Sequence, residues 1–99
     1  MSFEVTILGN SSASPTHSRH PSSQYVNICD HHLLIDCGEG TQMQLARYKI
    51  KKSKISQIFI SHVHGDHILG LPGLLLSMNL MKREQPIHIF GPPELFKIL

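Results

Sequence analysis

The stretch Ser61-His62-Val63-His64-Gly65-Asp66-His67 constrains this chain most, because it follows directly on the apolar run Ile55-Ser56-Gln57-Ile58-Phe59-Ile60. The run predicts a strand, and the residues after it predict a loop that gathers side chains at the strand's end. Three imidazoles and one carboxylate within positions 62–67 are nitrogen and oxygen donors of the kind that hold zinc or a similar divalent ion. His62 and His64 are two apart, so in an extended segment they face the same way and can share one ion. Gly65 permits the turn that lets Asp66 and His67 reach a second, neighbouring position. Two metals is the natural reading. A His-rich loop of accidental spacing does not explain the preceding strand, and a closed structural zinc site would draw on cysteine, which is absent from this loop.

A chain of 99 residues suffices for one small domain, 1–99, with a single core. The formal charge of +2 permits an anionic substrate without requiring one. Eight histidines give the net charge an unusual sensitivity to mild acid unless metal holds several of them neutral. Cys29 and Cys37 are too few for a disulfide framework and are expected to be buried thiols. No basic leader precedes the first strand pattern, and the longest apolar stretch, 68–76, is interrupted by Gly70, Pro72 and Gly73. A cytoplasmic chain with no membrane role is expected.

Phe3, Val5 and Ile7 alternate with Glu4 and Thr6, which predicts a first strand ending at Leu8-Gly9. The polar segment 10–23 has no periodicity, and a loop of that length inside a compact domain suggests a site-lining role. Runs 24–29 and 32–36 predict a hairpin, with Asp30, His31 and His32 as exposed turn residues. Thr41 is placed to cap a helix over 42–48 that carries Met43, Ala46 and Ile50 near one face. The basic run Lys49, Lys51, Lys52 and Lys54 is either a solvated face or a phosphate attractor. Leu71, Leu74, Leu75, Met78 and Met81 fall on one helical face, widened by Leu76 and Leu80, with Pro72 in the first turn. Residues 86–90 predict another strand and 94–99 the start of a helix without a closing signal, as though the natural chain continued. Strand alternating with helix implies an α/β layer.

The His62-x-His64-x-Asp66-His67 run resembles the metal-binding motif of the metallo-β-lactamase fold. Three further segments resemble ribonuclease Z within that fold. They are Leu8-Gly9-Asn10-Ser11-Ser12-Ala13-x-Pro15-Thr16-x-x-Arg19 with Ser22-Ser23; Asp36-Cys37-Gly38-Glu39-Gly40-Thr41-Gln42; and Gly70-Leu71-Pro72-Gly73-Leu74-Leu75. Asn10, Ser61 and His20-Pro21 depart from the usual residues of that family without removing a ligand. They leave room for an arylsulfatase or a phosphodiesterase of the same fold.

The resemblance implies an α/β fold that is the N-terminal part of a metallo-β-lactamase-like domain, with a mixed sheet, flanking helices and one half of an αββα sandwich. It implies a zinc-dependent endoribonuclease that hydrolyses precursor tRNA to remove the 3′ trailer, homodimeric at full length, with two zinc ions or other divalent metals about 3.5–4 Å apart. His62 and His64 would bind one ion, and Asp66 and His67 the other. Asp66 is also the carboxylate placed to take a proton from the attacking water. Asp36 would orient a ligand histidine through that ring's other nitrogen, or else serve only as a turn-forming aspartate. Arg19 and Ser22 are assigned to substrate. The family completes its site with a further histidine, a bridging aspartate and a final histidine beyond a segment like Gly91-Pro92. The 99 residues alone are therefore expected to bind metal weakly and not to process tRNA. A third reading is a non-catalytic half-fold whose open sheet face packs on another chain, motivated by Ile98-Leu99 and the broad Leu/Met stripe.

Overall fold

The structure is a computed structural model and describes residues 3–9, 22–61, 65–81 and 83–97. Five strands form one mixed sheet in chain order: β1 (Phe3–Gly9), β2 (Ser23–Ile28), β3 (His31–Cys37), β4 (Ile55–Phe59) and β5 (His88–Phe90). β1, β2 and β3 pair antiparallel, whereas β4 and β5 add in parallel. Parallel neighbours need a crossover, and the helices supply it. Helix α1 (Thr41–Arg47) lies between β3 and β4, and α2 (Gly65–Ile68) with α3 (Leu71–Leu80) lies between β4 and β5.

Register partners lie on the same face of a sheet, so its two sides can be followed strand by strand. Thr6, Tyr25, Leu34, Ile58 and Ile89 form one row on the covered side. There Leu34 and Ile58 join Leu8, Leu45, Leu71, Leu74, Met78 and Leu95 in the buried core. Each such side chain contributes about 1.5–3 kcal/mol when fully removed from water. Ile7, Gln24, Ile35, Phe59 and Phe90 form a row on the other side. Phe3, Val5, Ile7, Ile28, Phe59 and Phe90 of that side are all exposed, and Phe59 stacks on Phe90 with ring centroids 4.8 Å apart. Among the described residues helices cover one face of the sheet, and the other presents these exposed apolar side chains, with Val26 buried among them.

Several expectations need correction. Gly40, with φ 83°, is the N-cap of α1, and Thr41 is its first residue. The Thr41 hydroxyl donates instead to the Gly38 carbonyl at 2.7 Å. The inward face of α1 is Thr41, Gln44 and Leu45, whereas Met43 and Ala46 are exposed. The helix is short, and its left-handed start rotates the stripe away from the one that periodicity suggested. Along α3 the stripe Leu71, Leu74 and Met78 is buried, with Pro72 in the first turn as predicted, but Leu76, Leu80 and Met81 are exposed. The hairpin turn is Cys29-Asp30, so Cys29 is exposed rather than buried, and both cysteines are free thiols. His32 belongs to β3 and is buried, not an exposed turn residue. Among the described residues no helix is long and apolar enough to cross a membrane.

Candidate metal centre

β3 and β4 run parallel, so their carboxyl ends lie together, the usual place for a site in an α/β layer. Asp36 stands one residue before the end of β3 and Ser61 two residues after β4. Asp36 has φ 63°, a left-handed conformation that aspartate tolerates better than most residues. Its carboxylate accepts from the Ser61 backbone N–H at 2.8 Å, and from the Ser61 hydroxyl, 2.8 Å from Oδ2 and 3.0 Å from Oδ1. His67 Nδ1 donates to Asp36 Oδ2 at 2.8 Å and lies 3.4 Å from the Ser61 hydroxyl. One buried carboxylate therefore ties the end of β3 to Ser61 beyond β4 and to α2. Such charge-assisted bonds are the stronger class of protein hydrogen bond.

The position of α2 is fixed from below by an elbow. The Gly70 N–H donates to the Cys37 carbonyl at 2.9 Å, and a Cβ at Gly70 would come within 2.1 Å of the Gly38 carbonyl oxygen. Only glycine permits that approach. The Gly38 loop is itself braced, because its N–H donates to the Ser22 carbonyl at 3.0 Å and the Ser23 hydroxyl donates to the Asp36 carbonyl at 3.1 Å. Gln44 Nε2 donates to the Leu8 carbonyl at 2.9 Å, which joins α1 to β1 at the same end.

Of the residues singled out in the sequence, Asp36 and His67 meet directly, and Ser22 contributes its carbonyl to the loop beside them. His62, His64 and Arg19 lie outside the described residues, as do the side chain of Asp66, the segment 10–21 and the terminal Ile98 and Leu99. Ser61 was legible only as a departure from the usual threonine, yet its N–H and hydroxyl both serve Asp36. A hydroxyl directly after a strand and before a ligand cluster was the available signal. Burial pushes the Cys37 thiol up to about 12, with the Thr41 hydrogen bond pulling the other way and Asp36 adding to the rise.

Among the described residues this end brings together one imidazole and one carboxylate, and no group of three or more His, Cys, Asp or Glu side chains is placed to hold a metal ion. The hydrogen bond from His67 Nδ1 to Asp36 sets the direction of that ring at the end of β3.

The model of the family described as anti-Pycsar protein Apyc1 matches residues 3–99. Over 96 residues the chain is 48% identical to ribonuclease Z of Methanothermobacter thermautotrophicus, which covers 97% of this chain and 31% of that protein. It superimposes on the crystal structure of human tRNase Z, short form, with a TM-score of 0.86 and 45% identity, covering 95% of this chain and 36% of that one. The metallo-β-lactamase fold protein YhfI from Bacillus subtilis gives a TM-score of 0.86 at 26% identity, covering 98% of this chain and 41% of that one. The chain therefore spans less than half the length of each protein it matches here. These close superpositions and a family model that runs almost end to end carry one conclusion: this chain belongs to the anti-Pycsar protein Apyc1 family, on the metallo-β-lactamase fold, and is similar to ribonuclease Z.

Proposed function

We propose that this chain carries the ligand-bearing part of a metal-dependent endoribonuclease that removes the 3′ trailer from precursor tRNA by phosphodiester hydrolysis, in the cytoplasm. The observation that supports it most is the Asp36–His67 bond at the joined ends of β3 and β4, next to the 62–67 ligand run. In this reading His62, His64, Asp66 and His67 hold two zinc ions or similar divalent metals. When bound, such ions supply Lewis-acid stabilisation of the phosphodiester charge and make water a better nucleophile near neutral pH. The protein's own share is positioning. Asp36 fixes the tautomer and direction of the His67 ring, and Ser61 fixes Asp36. Asp66 takes the proton released by the attacking water, and Arg19 and Ser22 meet the substrate. The exposed apolar side chains on the other face of the sheet suit a second layer packed on them, and at full length the protein pairs as a homodimer.

A second reading is a hydrolase of a smaller phosphodiester or sulfate ester, and it is favoured by a matching family model whose description is not that of a ribonuclease. One experiment separates them. The protein at its full natural length, loaded with zinc, is given end-labelled precursor tRNA, a small chromogenic phosphodiester and an aryl sulfate. Trailer removal leaving a 3′-hydroxyl supports the first reading, and turnover of the small esters alone moves the assignment to the second. Turnover of none of them leaves the half-fold as a non-catalytic packing module.

A further inference from the structure

The basic run 47–54 is not one uniform face. Lys52 Nζ donates to the Ser77 hydroxyl at 2.6 Å and to Gln42 Oε1 at 3.3 Å, which pins the β4 entrance to α3 and α1. Arg83 donates to the carbonyls of Ser53, Gln85 and Pro86. These two cations are structural. Lys49, Lys51 and Lys54 are exposed and, among the described residues, have no carboxylate within ion-pair distance. All three line one cleft of about 370 Å³, whose wall includes Tyr25 and His32 and whose rim includes the half-exposed ring of Tyr48. Glu4 lines it too, and the exposed Asp30 carboxylate feels the charge of Lys54, so three cations stand against two carboxylates.

A bland account would have the lysines merely balance the negative end of α1. The local backbone argues against it. The Ile50 N–H reaches the Leu45 carbonyl at 2.8 Å and the Lys49 N–H the Ala46 carbonyl at 3.0 Å, so the chain's own turn satisfies these two carbonyls of the last turn of α1. That turn puts Lys49 at φ 60°, a position where glycine costs least. Arg47 already occupies the last turn of the helix. The ammonium groups of Lys49, Lys51 and Lys54 are therefore not needed by α1.

We propose that the cleft bounded by Lys49, Lys51, Lys54 and Tyr48 binds the sugar-phosphate backbone of RNA, at the end of β3 opposite to Asp36. This rests on the ribonuclease reading above. Lysines act as phosphate-binding point charges, and an exposed tyrosine beside them offers a stacking surface that suits any base. Lys54 and Ser61 are seven positions apart, roughly 23 Å of extended chain. The contact thus lies well outside the reacting phosphodiester and serves to hold and align the RNA.

The test is metal-free, which keeps it separate from catalysis. Binding of fluorescein-labelled precursor tRNA is followed by anisotropy in EDTA from about 50 to about 200 mM salt. The unmodified chain is compared with the triple variant Lys49→Gly, Lys51→Gln and Lys54→Gln. The variant is expected to lose about 30-fold in affinity at the low-salt end, with a slope of log K against log salt shallower by about 2–3. Lys49→Gly alone should keep or raise Tm while weakening binding, because it removes charge where the backbone prefers glycine. An unchanged salt slope would overturn the proposal, as would a Tm loss in Lys49→Gly that accounts for the weakened binding. Full competition by inorganic pyrophosphate at equal concentration would overturn it too, by pointing to a small-anion pocket. Absence of trailer removal by the unmodified, zinc-loaded full-length protein, with the binding difference intact, would instead count against the ribonuclease reading.

Discussion

Two Asp–His pairs sit at opposite ends of β3, with equal hydrogen-bond lengths and different consequences. Asp36 and His67 are 2.8 Å apart, and so are Asp30 and His32. In the first pair the carboxylate is the buried partner, and it accepts from the Ser61 N–H and hydroxyl as well as from His67 Nδ1. In the second pair the imidazole is the buried partner and the carboxylate is 87% exposed. The Tyr25 hydroxyl bonds His32 Nδ1 while His32 Nε2 donates to Asp30, so both ring nitrogens are spent. A histidine with both nitrogens engaged is a structural joint. In the first pair the joint is the carboxylate instead, which orients the His67 ring at the end of β3.

The largest expected effect tests whether that distinction is real. Asp36→Ala should lower zinc affinity of the full-length protein by about 10- to 100-fold, because the His67 ring loses its orienting partner. It should also cost roughly 1–3 kcal/mol of stability, since Ser61 and His67 lose the acceptor they share. Zinc titration against a chromophoric chelator, with Asp30→Ala as the comparator, measures the first effect. Equal losses in the two variants would erase the difference between the pairs.

Next in size is the elbow that delivers His67. Gly70→Ala forces a methyl group against the Gly38 carbonyl and should cost about 1–3 kcal/mol in urea unfolding, with weaker zinc binding besides. Gly73→Ala is the control. A Cβ there meets only the end of the Gln42 side chain at 3.0 Å, and alanine favours the helix by about 1 kcal/mol, so that variant should hold or gain stability.

On the second pair, Tyr25→Phe removes the partner of His32 Nδ1 and leaves a buried nitrogen unsatisfied, for a loss of roughly 1–2 kcal/mol. Zinc affinity should not move. If it falls, the two ends of β3 are coupled and the cleft near His32 cannot be treated apart from the metal centre.

Periodicity and turn chemistry made the sheet legible, because alternation in β1, β2 and β3 and the α3 stripe are local patterns. What they could not give was the phase of α1, which depends on the left-handed Gly40, or the burial of His32, which depends on Tyr25 seven residues away. His67 and Asp36 were both readable as candidates, one from spacing and the other from resemblance. Their meeting, and the part Ser61 plays, arise from the parallel pairing of β3 with β4, which brings together residues 31 apart in sequence. The division of the lysines into tied and unpaired groups was likewise invisible, since it turns on Ser77 and Gln42.

The smallest expected effect concerns pH. The hydrogen bond from His32 holds the Asp30 carboxyl below the usual carboxylate range, assisted by the charges of His32, Lys54 and His31. A carboxyl depressed in the folded state stabilises the fold above its unfolded value, and that contribution fades as pH falls through the folded value. Asp30→Asn should therefore lower Tm slightly at neutral pH, and the two melting curves should converge in acid below the carboxylate range. A gap that persists unchanged into strong acid would mean that the carboxylate charge is irrelevant to His32. The Tyr25 bond would then hold the ring by itself, making the second pair a joint in which Asp30 has no part.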